Sequence, residues 1–259
     1  MCKENNNKDN QNKEKLMNLR KQMLSSLISD NDMAVSTIFA LCTYFCDEFD
    51  VEANDAMGEF LNNITDMCMS VQRSMRMLEF MEMIWSDTNA NTETFECVSF
   101  IQRFSEKSAD VLENLIKIET DTGGYERIWV KFSREIIEYA FLCFLRMAAD
   151  KQIKKLTLSC TKTDKKITIK MLAEGNVYNA DDPIGFAFDP NKAYMDMLIT
   201  IISRMKDAEC IVRDSELSII VSETDMNGEI ILKENSTERY NVFSPYHIML
   251  DDVSDYRFF

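Results

Sequence analysis

The sequence predicts an α+β protein in two parts, a helical hairpin over residues 31–86 and a mixed α/β domain over residues 93–223. Three observations carry that prediction. Apolar residues recur at threes and fours through Met33–Phe49 and again through Phe60–Trp85, the period of amphipathic helices. Ser86-Asp87-Thr88-Asn89-Ala90-Asn91-Thr92 is a polar stretch suited to a linker. Beyond it, strands of alternating hydrophobicity are interleaved with two strongly apolar helical segments.

Composition bounds what such a protein can be. With 259 residues, 46% of them hydrophobic and 10% aromatic, the chain can bury real cores. A formal charge of -15 argues against nucleic acid and against an anionic membrane as partners, because both reward positive charge. No apolar run is long enough to span a bilayer, and Met1-Cys2-Lys3-Glu4-Asn5-Asn6-Asn7 lacks the apolar core of a secretory signal, so a cytoplasmic protein is expected. The eight cysteines show no CxxC pair and read as reduced, mostly buried small hydrophobes.

Taken in order, residues 1–30 read as a disordered start followed by a short amphipathic helix on Leu16, Leu19, Met23, Leu24, Leu27 and Ile28. Ser29-Asp30-Asn31-Asp32 supplies a break and an N-cap. In the first hairpin helix Ala34, Ile38, Leu41, Phe45 and Phe49 form the apolar stripe, opposite Ser36, Thr43 and Asp47. In the second, Phe60, Ile64, Met67, Val71, Met75, Leu78 and Trp85 form the seam. Both helices also carry apolar residues off these stripes, such as Phe39, Cys42, Met77, Met81 and Met83, so the economical arrangement is a symmetric dimer whose two hairpins make a four-helix bundle. The alternative is that those residues pack on the second domain.

In that domain a helix is expected over Ser99–Ile118, a strand over Tyr125–Phe132 after Thr122-Gly123-Gly124, and an apolar helix over Arg134–Asp150 capped by Ser133. A hairpin of strands Ile153–Thr161 and Lys166–Ala173 follows, then a loop over residues 174–190, a helix from Asp189-Pro190 to about Lys206, and strands Glu209–Arg213 and Leu217–Ser222. Residues 224–259 form a C-terminal extension with a short strand expected at Ile230–Leu232 and terminal Phe258 and Phe259 expected to dock on the protein itself.

Three groups of residues carry a resemblance. Ser70-Val71-Gln72-Arg73-Ser74-Met75-Arg76-Met77-Leu78-Glu79-Phe80, running on to Trp85, is one. Arg134–Met147 followed by Leu156-Thr157-Leu158-Ser159 and Ile167-Thr168-Ile169 is the second, and Asp189-Pro190-Asn191-Lys192-Ala193 through Arg204 followed by Ala208–Val221 is the third. In order and spacing they resemble the dimerisation hairpin and ATPase-like domain of sensor histidine kinases, and more closely the ChpT-type histidine phosphotransferases of alphaproteobacteria, which keep this architecture without binding nucleotide. The resemblance covers roughly residues 33–223. It implies a dimeric four-helix bundle followed by a degenerate ATPase-like α/β sandwich, no cofactor and no metal, and response-regulator receiver domains and a hybrid sensor kinase as partners.

The residues agree about the nucleotide. No Asn lies between Arg134 and Asp150 to hold Mg²⁺, and Ala173-Glu174-Gly175-Asn176 stands where an Asp-x-Gly-x-Gly pattern would begin, with Gly185 alone after it. The phosphoacceptor is absent as well. The single histidine of the chain, His247, lies far from the hairpin and is expected on the surface of the tail. Counting back from Leu78-Glu79-Phe80 puts the family's acceptor at Ser36, while a local match puts it at Asp47; neither replaces an imidazole. The receiver-docking face implied by the resemblance is Ser36, Thr37, Ala40, Thr43, Tyr44 and Asp47. Cys42 and Cys46, with Cys68, read as bundle core rather than a soft-metal site. Three functions stay open: a docking protein that has lost phosphotransfer, an active phosphotransferase with another acceptor, and a purely structural dimer.

Overall fold

The computed structural model describes residues 2–49, 51, 56–85, 92–112, 115–178, 189–224 and 244–253. The chain divides into two compact units near Thr88, within the segment expected to be a linker.

The first unit is built on α1 (Cys2–Phe49) and α2 (Ala56–Trp85). Helix α1 runs unbroken for 48 residues, so neither the expected disorder at its start nor the break at Ser29–Asp32 is found. Asn31 accommodates itself inside the helix by donating from Nδ2 to the Leu27 carbonyl at 2.7 Å. The helices pack as an antiparallel pair, and Arg20 of α1 meets Glu82 near the end of α2 at 3.2 Å.

The seam between them is not the one expected. Val35 and Cys42 of α1 are buried, as are Leu61, Thr65, Cys68, Met69 and Gln72 of α2. The stripes through Ile38, Leu41, Phe45 and Phe49 and through Phe60, Met67 and Val71 are exposed, Met67 at 70%. At about 100° per residue, the exposed stripe lies roughly a quarter turn from the buried one on α1 and roughly a third of a turn from it on α2. Small and polar residues explain the choice. Thiols and a threonine let the two backbones approach, and buried Asn62 and Thr65 return their hydrogen bonds to the carbonyls of Gly58 and Leu61 at 3.0 and 3.1 Å. The larger Leu61 and Met69 are buried beside them.

The second unit holds a five-stranded sheet in the order β2 (Lys117–Asp121), β4 (Lys155–Thr163), β5 (Lys166–Ala173), β7 (Glu216–Ser222), β6 (Ala208–Arg213). Only the β2–β4 pairing is parallel. A separate antiparallel pair joins β1 (Glu93–Glu96) to β3 (Trp129–Phe132). Helices α3 (Cys97–Leu112), α4 (Arg134–Asp150) and α5 (Pro190–Arg204) pack against the sheet. Its inward residues, among them Leu156, Leu158, Ile167, Ile169, Leu217 and Ile219, are wholly buried, as strict alternation along half-buried strands predicts.

Several local expectations change. Strand β1 was not foreseen, and the helix expected to reach Ile118 ends at Leu112, the polar sequence Lys117–Asp121 forming the edge strand β2. The strand expected from Tyr125 begins only at Trp129. Gly123 and Gly124, with φ of 61° and 76°, turn the chain before it, and Asp121 Oδ1 accepts from the Gly123 amide at 2.9 Å. Ser133 occupies the N-cap position of α4 without a side-chain capping bond, whereas Asp189 caps α5 by accepting from the amides of Asn191 and Lys192. The strand expected at Ile230–Leu232, Gly185, and Phe258 and Phe259 lie outside the described residues.

The C-terminal extension adds α6 (Pro245–Leu250) and a 3₁₀ turn (Asp251–Val253), both packed on α3 and α4. His247 is therefore buried rather than exposed at the surface of a tail, and burial holds its imidazole below the ordinary value.

Candidate functional site

The six residues Ser36, Thr37, Ala40, Thr43, Tyr44 and Asp47 are all exposed on α1. Helical phase gathers them on one side, turned away from both the buried seam and the exposed apolar stripe. This surface presents short polar side chains around one aromatic ring. The Thr37 hydroxyl donates to the Met33 carbonyl at 2.8 Å and the Thr43 hydroxyl to the Phe39 carbonyl at 3.1 Å, which fixes their rotamers and leaves oxygen lone pairs outward. Tyr44 meets Phe45 edge to face at 6.2 Å between ring centres, tying the polar side to the apolar stripe.

Residues 31–86 contain no histidine, so no imidazole is available there as acceptor or base. The nearby thiols are not activated either: burial pushes Cys42 and Cys68 above the ordinary thiol value, and Cys46 follows for the same reason with Cys42 and Asp47 adding to it. Among the described residues no group of three or more His, Cys, Asp or Glu side chains is placed to hold a metal ion.

In the second unit the helix where a nucleotide-binding relative needs polar ligands is packed with Ile136, Ile137, Tyr139, Ala140, Phe141, Leu142, Phe144 and Leu145. Gly175 sits at φ 156°, and an added Cβ there would displace the flexible end of the Ile153 side chain, whose Cδ1 would stand 2.5 Å away.

A polar cluster that sequence reasoning missed joins α4, α5 and the C-terminal segment. Arg146 Nε donates to Asn191 Oδ1 at 3.0 Å and Nη1 to the Met249 carbonyl at 2.8 Å, while its guanidinium grips the Asp252 carboxylate with both terminal nitrogens. Asn191 Nδ2 donates to Asp150 Oδ2 at 2.9 Å; burial nevertheless holds that carboxyl above its usual range, against the pull of Arg146. Tyr246 donates to Glu138 Oε1 at 2.6 Å and packs its ring 5.6 Å from that of Phe104. The signal was present in the sequence as the single charged residue of the apolar run Tyr139–Ala149, a residue type rarely buried without a partner. The partner lay more than a hundred positions away.

Solved structures match the chain at the level of fold. The Acinetobacter baumannii histidine kinase AdeS aligns with 74% of this chain and 96% of its own at 15% identity and a TM-score of 0.51. Full-length ShkA in complex with AMPPNP aligns with 78% of this chain at 9% identity and a TM-score of 0.57, and this chain spans 46% of that one. Histidine kinase ThkA in complex with response regulator protein TrrA is a looser match, 12% identical over 80% of this chain and 64% of that one, at a TM-score of 0.44. No family model and no curated protein sequence matches. No helix among the described residues is long and apolar enough to cross a membrane. The chain has a histidine-kinase-like fold, a helical N-terminal unit followed by an α+β unit with a mixed sheet.

Proposed function

We propose that this protein is a cytoplasmic member of a two-component phosphorelay, related to ChpT-type histidine phosphotransferases, that docks response-regulator receiver domains and has lost phosphotransfer. The observation that carries this reading is a histidine-kinase-like fold whose hairpin contains no histidine. Ser36, Thr37, Ala40, Thr43, Tyr44 and Asp47 form the docking face, with Ser36 at the phosphoacceptor-equivalent position and Asp47 the less favoured alternative. A serine phosphate ester is too stable to donate onward to an aspartate, and among the described residues Asp47 has no metal site beside it to assist.

The protein acts as a homodimer. Its exposed stripes on α1 and α2 are the faces that a second hairpin covers to complete a four-helix bundle, because large apolar residues in such a continuous pattern favour an interface over water. A hybrid sensor kinase stands upstream through its own receiver domain. No nucleotide or metal takes part.

Titration with a panel of purified receiver domains, followed by incubation with a radiolabelled phosphorylated receiver, tests the reading. Saturable binding without label on this chain is the expected result. Label on Ser36 or Asp47 establishes instead an active phosphotransferase, and a chain that stays dimeric yet ignores every receiver has a structural role alone.

A further inference from the structure

Cys97 opens α3 and Cys160 lies within β4, and the packing of that helix on that strand brings two wholly buried thiols together from 63 positions apart in the chain. Their sulfurs stand 3.4 Å apart. A disulfide needs about 2.0 Å, so about 1.4 Å remains to close, a distance within reach of side-chain rotation and a small shift of the helical turn. That turn is also well placed to open briefly. It follows directly on β1, a strand of four residues whose only strand partner among the described residues is the equally short β3, and a two-stranded pair is marginal by itself.

We propose that Cys97 and Cys160 are an oxidative modification site, closed by a small hydroperoxide into a reversible disulfide that ties α3 to β4. Cys160 is the sulfur that ionises first: the bond from Cys97 holds its thiol below the ordinary value against burial, while that same bond and burial push Cys97 up. The Cys160 thiolate attacks one oxygen of the hydroperoxide, the O–O bond breaks, and the departing alkoxide or hydroxide takes up the proton that left Cys160. A sulfenic acid remains on Cys160. The Cys97 sulfur then displaces its hydroxyl, which leaves as water with the Cys97 proton. In sum the two thiols give up two electrons and two protons, and the hydroperoxide is reduced to one molecule of alcohol, or of water from hydrogen peroxide itself, and one of water. Because the second thiol already touches the first, the sulfenic acid is captured before a second oxidant arrives. In a cytoplasmic protein the bond forms only under oxidant and is undone by thiol exchange. While closed it restricts the unfolded chain over a long loop and so stabilises the second unit.

Treatment of the reduced, native full chain with hydrogen peroxide, followed by alkylation in denaturant and peptide mapping, tests this. The expected product is lighter by two hydrogens, with the Cys97 and Cys160 peptides linked to each other and released by dithiothreitol. Its thermal midpoint should stand about 5 °C or more above that of the reduced protein. In Cys97→Ala the link should be absent and a sulfenic acid should be trapped on Cys160 by dimedone. Recovery of both wild-type cysteines as free thiols, or as sulfinic or sulfonic acids, overturns the site, and so does linkage of either one to a different cysteine. A linked product whose midpoint is unchanged or lowered shows that the bond forms only by distorting the native packing, and overturns it as well. If Cys97→Ala does not fold, the wild-type peptide map and midpoint decide alone.

Discussion

Arg146 in α4 and Asp252 in the C-terminal 3₁₀ turn form a two-pronged ion pair, Nη2 to Oδ2 at 2.8 Å, between a helix at the centre of the second unit and the last described turn of the chain. The arginine is one-tenth exposed and the carboxylate about a third, so the pair is partly desolvated and the C-terminal segment is an integral part of the unit. Asp252→Asn leaves a buried guanidinium short of its anion and should cost about 1–3 kcal/mol. Thermal unfolding should register a fall of roughly 2–12 °C in midpoint. Removal of residues 244–259 should cost more, because it also uncovers Phe104 and the outer side of α4.

Glu96 governs how the second unit responds to acid. Its carboxylate accepts from the amides of Val98, Ser99 and Ile128 at 3.0, 2.6 and 2.9 Å, capping α3 and tying it to the approach to β3. Burial raises its pKa, but the Ser99 hydroxyl and the three amides outweigh that and hold it below the ordinary 4.5. A carboxyl depressed in the folded state contributes stability above its unfolded value and loses it as pH falls through the folded value. Glu96→Ala should therefore lower stability by about 1–3 kcal/mol near neutrality and by progressively less below about pH 4. Urea unfolding of both proteins across that range checks the sign; a difference that grows with acidity contradicts it.

The exposed stripes predict where dimerisation breaks. Phe45→Glu sets a carboxylate in the stripe, and each large apolar side chain buried there contributes about 1.5–3 kcal/mol. Sedimentation should show the dissociation constant raised by a factor of about ten or more. Met33→Glu, exposed on the same helix but outside the threes-and-fours stripe, should change it little.

How far the fold could be read from the sequence depended on what each segment packs against. Helix α4 and the strands β4, β5 and β7 were legible because each buries a continuous or alternating apolar pattern against its neighbours. Strand β2 was not, since Lys117-Ile118-Glu119-Thr120-Asp121 has one apolar residue and owes its conformation to pairing with β4. The two hairpin helices were found, but their faces were misassigned: both helices carry apolar residues on more than one face, and periodicity alone does not say whether Leu61 and Met69 or Phe60 and Met67 turn inward. The docking face came from the resemblance rather than from periodicity, and its six residues lie exposed on α1. The Arg146–Asp252 pair was invisible because charge partners distant in sequence leave no local pattern.

Thiol reactivity offers an independent check on the packing. Cys97 and Cys160 are wholly buried with their sulfurs 3.4 Å apart, and burial pushes Cys42, Cys68 and Cys143 up. Brief treatment of the native protein with iodoacetamide near neutral pH should leave these five unmodified by mass spectrometry, and the same treatment in denaturant should modify all of them. Rapid native labelling of Cys42 or Cys68 would place the hairpin seam elsewhere.

Receiver docking on α1 is the central claim, and calorimetric titration of the full chain with receiver domains measures it most directly. The prediction is saturable binding to at least one receiver, weakened at least tenfold by Tyr44→Asp and left unchanged by the buried-pair variant Asp252→Asn. Failure of every receiver to bind, or binding indifferent to Tyr44→Asp, contradicts it.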